Sequence, residues 1–136
     1  MSGLNADLKI PGPMIGIALA GLVSMVVAVL WGIANGPLST EFPAIVGMAW
    51  GLVTIIDLYV GLAMIAAWIW WREESAGVAL GWALALATCG NIATCLYIIL
   101  AIRNSRGNVH IFWSGSRQAA NEQGQAEVVA ARDTNA

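Results

Sequence analysis

Asp57 is the one ionisable side chain set deep inside a long apolar stretch of this chain. At the centre of a membrane helix an aspartate costs roughly 2.5–3.5 kcal/mol to insert, so its presence calls for a partner or a task. Folding the sequence about Glu74 shows what lies at the same depth. Asp57 stands seventeen residues before that point and Asn91 seventeen after it, while Thr54 and Thr94 match at twenty. On antiparallel helices these four make one polar layer. Thr54 (i−3 from Asp57) and Thr94 (i+3 from Asn91) each share a helix face with their neighbour. Three uses of the acid stay open: an Asp57–Asn91 hydrogen bond that fixes helix register, a contact to a partner subunit, and a place in a proton or substrate path. The last normally needs a chain of titratable groups, and none leads away from Asp57.

The remaining reactive side chains are sparse. His110 is the only histidine and is followed by Ile111, Phe112 and Trp113. A haem or pigment ligand near the membrane surface is one reading, and an ordinary interfacial histidine is the other. Cys89 and Cys95 are six residues apart. On one helix that turns them about 240° apart with a rise of roughly 9 Å, so they do not bridge. They are expected as buried small apolar residues. There is no CxxC or metal-ligand spacing, no Ser/His/Asp set and no phosphate-cradling glycine loop, and Glu73-Glu74 is read as a solvated turn. These residues lead to the expectation of no enzyme activity and no intrinsic cofactor, with lipid or pigment contact as the nearest substitute.

What positions these groups follows from composition. The chain has 136 residues, 59% of them hydrophobic and 10% charged. Average soluble proteins run at roughly 45–50% and about 25%. Too few polar groups remain to cover the outside of a soluble core, so the chain reads as an all-α membrane protein. A net charge of −2 gives no footprint for nucleic acid.

Three transmembrane helices are expected, at 14–34, 49–71 and 77–102. An N-terminal segment (1–13), a connection (35–48), a polar hairpin (72–76) and a polar, mobile C-terminal tail (103–136) complete the chain. The first apolar run follows Pro11 and Pro13, suits a helix start, and is long for a secretory signal. The 35–48 connection carries Asn35-Gly36-Pro37 turn chemistry, but its second half is apolar and is expected at the interface or as the next helix's first turn. Indole rings favour the lipid–water boundary. Trp31 and Trp50 bracket the connection, Trp68, Trp70 and Trp71 border the hairpin, and Trp113 lies in the aromatic patch after the third span. Trp82 sits inside a span and is expected to pack.

Small residues recur every fourth place. The first span shows Gly12, Gly16, Ala20, Ser24, Ala28, Gly32 and Gly36; the third shows Gly77, Gly81, Ala85, Cys89 and Ala93; and Gly47 and Gly51 stand at the entrance of the second. In lipid, such spacing lets helix backbones approach closely. A chain rich in Gly and Ala shows some of this by composition alone. The sharper reading is that two helices offer grooves for a partner protein or a second copy.

The residues Trp50-Gly51, Thr54, Asp57-Leu58-Tyr59-Val60-Gly61, Trp68 to Arg72-Glu73, and Gly90-Asn91-Ile92-Ala93-Thr94 with Tyr97 carry a resemblance. The pattern WG…T…DLYxG…W…RE followed by GNxxTxxY is similar to that of a family of short, about three-span integral membrane proteins of unknown function. The likeness covers about residues 44–102, and the first span agrees in character only. It implies a membrane location and no particular reaction.

These readings converge on a small non-catalytic accessory subunit of a larger membrane complex, photosynthetic or respiratory, in a bacterial inner membrane. Its partners would be membrane protein subunits and lipid. Three spans place the connection and the tail on one side, where Arg103, Arg106 and Arg117 outnumber Lys9 and Arg72 opposite, which favours a cytoplasmic C-terminus. The rivals are a self-associating carrier or channel with Asp57 in its path, and a membrane enzyme or cofactor binder using Asp57 or His110.

Overall fold

The computed structural model describes residues 10–115, and all regular elements among them are helices. They are α1 (Pro13–Asn35), α2 (Leu38–Gly47), α3 (Ala49–Arg72), α4 (Ala76–Cys89) and α5 (Asn91–Asn104), followed by a short α6 over residues 109–115. Pro13 opens α1, where its missing N–H leaves no bond unmade. Asn108 caps α6, its Oδ1 accepting from the His110 N–H at 2.8 Å. The connection expected at 35–48 is mostly helical, and Met48 in extended conformation separates α2 from α3. Lys9, Arg117 and the remainder of the expected tail lie outside the described residues. Its first part, to residue 115, is ordered as the end of α5, a turn and α6.

The helix expected over 77–102 does not form as one rod. Gly90 takes φ +55° and ψ −131°, a conformation that residues with a Cβ rarely adopt. Its N–H closes α4 on the Leu86 carbonyl at 2.9 Å, and its own carbonyl accepts the Thr94 N–H at 3.3 Å to begin α5. Between these two bonds the chain reverses. The rings of Trp82 and Tyr97 lie 5.0 Å apart, whereas fifteen residues of continuous helix would separate them by about 22 Å. Leu86 and Ala93, either side of the turn, share one buried core. The third transmembrane helix is thus replaced by an antiparallel hairpin of two 14-residue helices, each about 21 Å long. Among the described residues only α1 and α3 are long and apolar enough to cross a membrane.

The reversal sets the whole arrangement. The Ile10 N–H donates to the Gly107 carbonyl at 2.8 Å, so the start of α1 lies beside the end of α5. The end of α3 and the start of α4 meet at the turn 73–75. All four ends therefore gather at one face, called here the base. From the base α1 packs along α5, α5 along α4, and α4 along α3. Ala18 and Gly21 carry the α1 contact; a Cβ on Gly21 would lie 3.2 Å from Cys95 Sγ. The core runs down the hairpin to the base through Leu62, Ile69, Leu86, Tyr97, Ala101 and Phe112.

At the opposite end α2 joins α1 to α3. Gly51 permits α2 to fold tightly back, since a Cβ there would collide with the Ile45 carbonyl, whereas one on Gly47 would meet open space. Gly51→Ala is therefore expected to lower stability by about 1–3 kcal/mol through overpacking, with Gly47→Ala close to neutral. Thermal unfolding of the two variants in detergent micelles checks the difference.

Candidate functional site

Polar side chains come together at the base, around Arg72. The last turn of α3 points this arginine inward, where it is 6% exposed. Its Nε donates to the Phe112 carbonyl at 2.9 Å, and its Nη1 donates to the Tyr97 hydroxyl at 2.8 Å. Tyr97 in turn donates to Glu73 Oε1 at 2.6 Å, and that oxygen lies 3.6 Å from Arg72 Nη1. An ion this deep is tolerable only when its charge is paired and its donors are occupied.

Aromatic rings wall the cluster. The Arg72 guanidinium carbon stands 5.8 Å from the Trp68 ring centre and 5.4 Å from that of Tyr97, within reach of both π-faces. Trp68 also packs edge-on to Tyr97 and Trp113 and tilted against Phe112. Its Nε1 donates to the Trp113 carbonyl at 3.4 Å. Gly115, at φ +63°, lets the chain pass against Arg72, where a Cβ would collide with the arginine's carbonyl and Cγ. The arrangement ties the end of α3, the middle of α5 and α6 together. The donors and acceptors described here are turned on one another, so the cluster works as a fastening between these elements.

The sequence reading placed Arg72 and Glu73 in a polar, solvated hairpin, and only Glu74 and Ser75 behave so. Two signals pointed elsewhere. The apolar patch 109–113 had no span to belong to, and Trp68, Arg72, Glu73 and Tyr97 all stand among the residues that carry the family resemblance. All four meet in this cluster, and Gly90 of the same pattern makes the turn that brings Tyr97 back to it.

The polar layer expected of Asp57, Asn91, Thr54 and Thr94 does not assemble. The Thr54 hydroxyl donates to the Trp50 carbonyl of its own helix at 2.9 Å. Asn91 is half-buried at the hairpin tip with no side-chain hydrogen bond among the described residues, and the buried Thr94 hydroxyl is likewise unpartnered. Asp57 is exposed, and no hydrogen bond or ion pair reaches it from the described residues. Helix geometry explains the outcome. Tyr59, Leu62 and Ala63 of α3 face Ala83, Leu86 and Ala87 of α4 across a shallow groove. Two residues before Tyr59, Asp57 is turned about 200° away from it and faces outward. Counting along the sequence does not fix facing.

The small-residue ladders are also turned mostly outward, Ala93 in the core being an exception. Gly16, Ala20, Ser24 and Ala28 are exposed on α1, and Gly32 is half-buried with open space around it. The contact face of α1 instead runs Met14, Ala18, Gly21, Leu22 and Met25. On α4, Gly77 and Gly81 are exposed and Ala85 is half-buried. Cys89, expected to be buried, is exposed at the hairpin tip, Cys95 is half-buried, and both are free. His110 is exposed on α6. No group of three His, Cys, Asp or Glu side chains is placed to hold a metal ion among the described residues. Trp31, Trp50, Trp70, Trp71 and Trp113 are exposed near helix ends, whereas Trp68 and Trp82 pack inside.

A match to a known family covers most of this fold: residues 14–111 fit the one described as "Protein of unknown function (DUF1475)". No curated protein and no solved structure matches the chain.

Proposed function

The chain belongs to the DUF1475 family of unknown function, and we propose that it is an integral membrane protein acting as a small, non-catalytic packing subunit of a larger membrane assembly. The observation that carries this reading is Asp57. It stands on the outward face of α3 in a stripe with Trp50, Val53, Val60, Met64 and Trp71, all exposed. A carboxyl group held against hydrocarbon is costly, and the described residues supply it with no partner, so a neighbouring protein is the natural source. The outward glycine–alanine ladder of α1 supports the same view, because close backbone contact is what binds helices in lipid. The fold carries nothing particular to a photosynthetic or respiratory host.

Mild-detergent extraction tests the proposal. The native chain is expected to migrate with other protein, at a mass well above its own 14.3 kDa. Asp57→Leu removes the polar contact and is expected to release the chain, with its own unfolding midpoint unchanged. Asp57→Asn keeps a hydrogen-bonding group and is expected to stay associated. A lone chain before any substitution overturns the packing role. The carrier reading takes its support from the same residue and predicts instead that Asp57→Asn abolishes transport in vesicles.

A further inference from the structure

We propose that α4 and α5 form a re-entrant hairpin: it dips into the membrane from the base, turns at Gly90 within the apolar layer, and returns to the face it left. We assign that face to the anionic, cytoplasmic leaflet. The inference rests on the membrane reading above and adds to it a topology with both described ends of the chain on one side.

Length is the first argument. Each arm has 14 residues and reaches about 21 Å, short of the ~30 Å of hydrocarbon that a span must cross. α1 and α3 have 23 and 24 residues and suffice. Contacts across the base are the second. The Ile10–Gly107 bond and the Arg72–Phe112 bond hold the start of α1, the end of α3 and the segment after α5 together. A continuous third span would carry that segment to the opposite face and break both.

Charge gives the orientation. Among the described residues the cations are Arg72, Arg103 and Arg106, all at the base, and the sequence has no Lys or Arg between residues 10 and 71. The α2 end therefore offers no basic group, only Glu41. Lys and Arg flanking membrane segments mark the cytoplasmic side, where anionic headgroups attract them. Arg103 and Arg106 are exposed to such headgroups. Indoles bracket the apolar layer: Trp70, Trp71 and Trp113 at the base, Trp31 and Trp50 at the other end. The twenty steps along α3 from Trp50 to Trp70 rise about 30 Å, one hydrocarbon thickness.

Single cysteines placed in a Cys89→Ser, Cys95→Ser background test this in membrane vesicles of known orientation, probed with a membrane-impermeant maleimide. Glu74→Cys and Asn104→Cys flank the hairpin; Ser39→Cys reports the α2 end. Labelling of the first two is expected only from the cytoplasmic face, and of the third only from the opposite face. Reaction of Glu74→Cys and Asn104→Cys from opposite faces restores a third span and overturns the hairpin. Reaction of both from the non-cytoplasmic face overturns the assignment to the anionic leaflet. A second variant with Arg103→Gln, Arg106→Gln, Thr40→Lys and Glu41→Lys is expected to lose cytoplasmic labelling at Glu74→Cys; unchanged labelling counts against charge as the orienting cause. Alkaline extraction separates the two proposals, since release of the native chain from the membrane defeats the membrane reading itself.

Discussion

Arg72→Ala is expected to destabilise the fold by about 3–5 kcal/mol, the usual consequence of removing one member of a buried, hydrogen-bonded ion group. The loss has several parts. The Phe112 carbonyl and the Tyr97 hydroxyl each lose a charged donor, and Glu73 loses its neighbouring cation. The rings of Trp68 and Tyr97 lose the guanidinium held against them. Arg72→Lys should recover little, because an ammonium on a flexible stem does not reach two divergent acceptors as a planar fork does. Tyr97→Phe is the milder control. It removes the hydroxyl that lies between Arg72 and Glu73 but leaves the rings packed, for a loss nearer 1–3 kcal/mol. Thermal unfolding in micelles, together with proteolysis after α5, measures both. An Arg72→Ala variant as stable as the native chain would show that the cluster fastens nothing.

Gly90→Val is the second large effect. A β-branched side chain at φ +55° and ψ −131° carries about 1–3 kcal/mol of backbone strain. The strain is relieved if residue 90 turns helical. One helix then runs over 76–104, about 43 Å long, and Tyr97 is drawn away from Trp82 and Arg72. The expected outcome is loss of the Tyr97–Arg72 contact and transfer of residue 104 to the other face in a fraction of molecules. Impermeant labelling at position 104 detects the transfer. Gly81→Val, a substitution in open space within α4, should leave labelling at position 104 unchanged.

Why the third span misled is physical. Over 77–102 the chain has no charge and no proline, and hydropathy measures composition rather than direction. A single glycine carried the reversal, and a lone glycine in an apolar helix is ordinary. The two long helices were legible because length and hydropathy suffice for them. Trp82 was legible as a packing residue for the same reason that it broke the pattern of boundary indoles.

Asp57 shows a subtler failure. Counting residues from Glu74 sets it level with Asn91 at the tip of the hairpin. Counting does not give azimuth, and 200° separates Asp57 from the α4-facing side of α3. Arg72 failed in the opposite sense. A charged residue between two apolar runs reads as solvent-exposed, yet Tyr97, Phe112 and Trp113 lie 25 to 41 positions further on and come to it only through the turn at Gly90.

The Arg72–Phe112 bond links residues forty positions apart, with the acceptor near the end of the described chain. During synthesis α3 is complete well before α6 exists. For that interval the arginine has neither its carbonyl acceptor nor Tyr97. The fastening of α3 to the segment after α5 is therefore complete only once residue 112 has been made, and a chain halted before it would keep Arg72 without that acceptor.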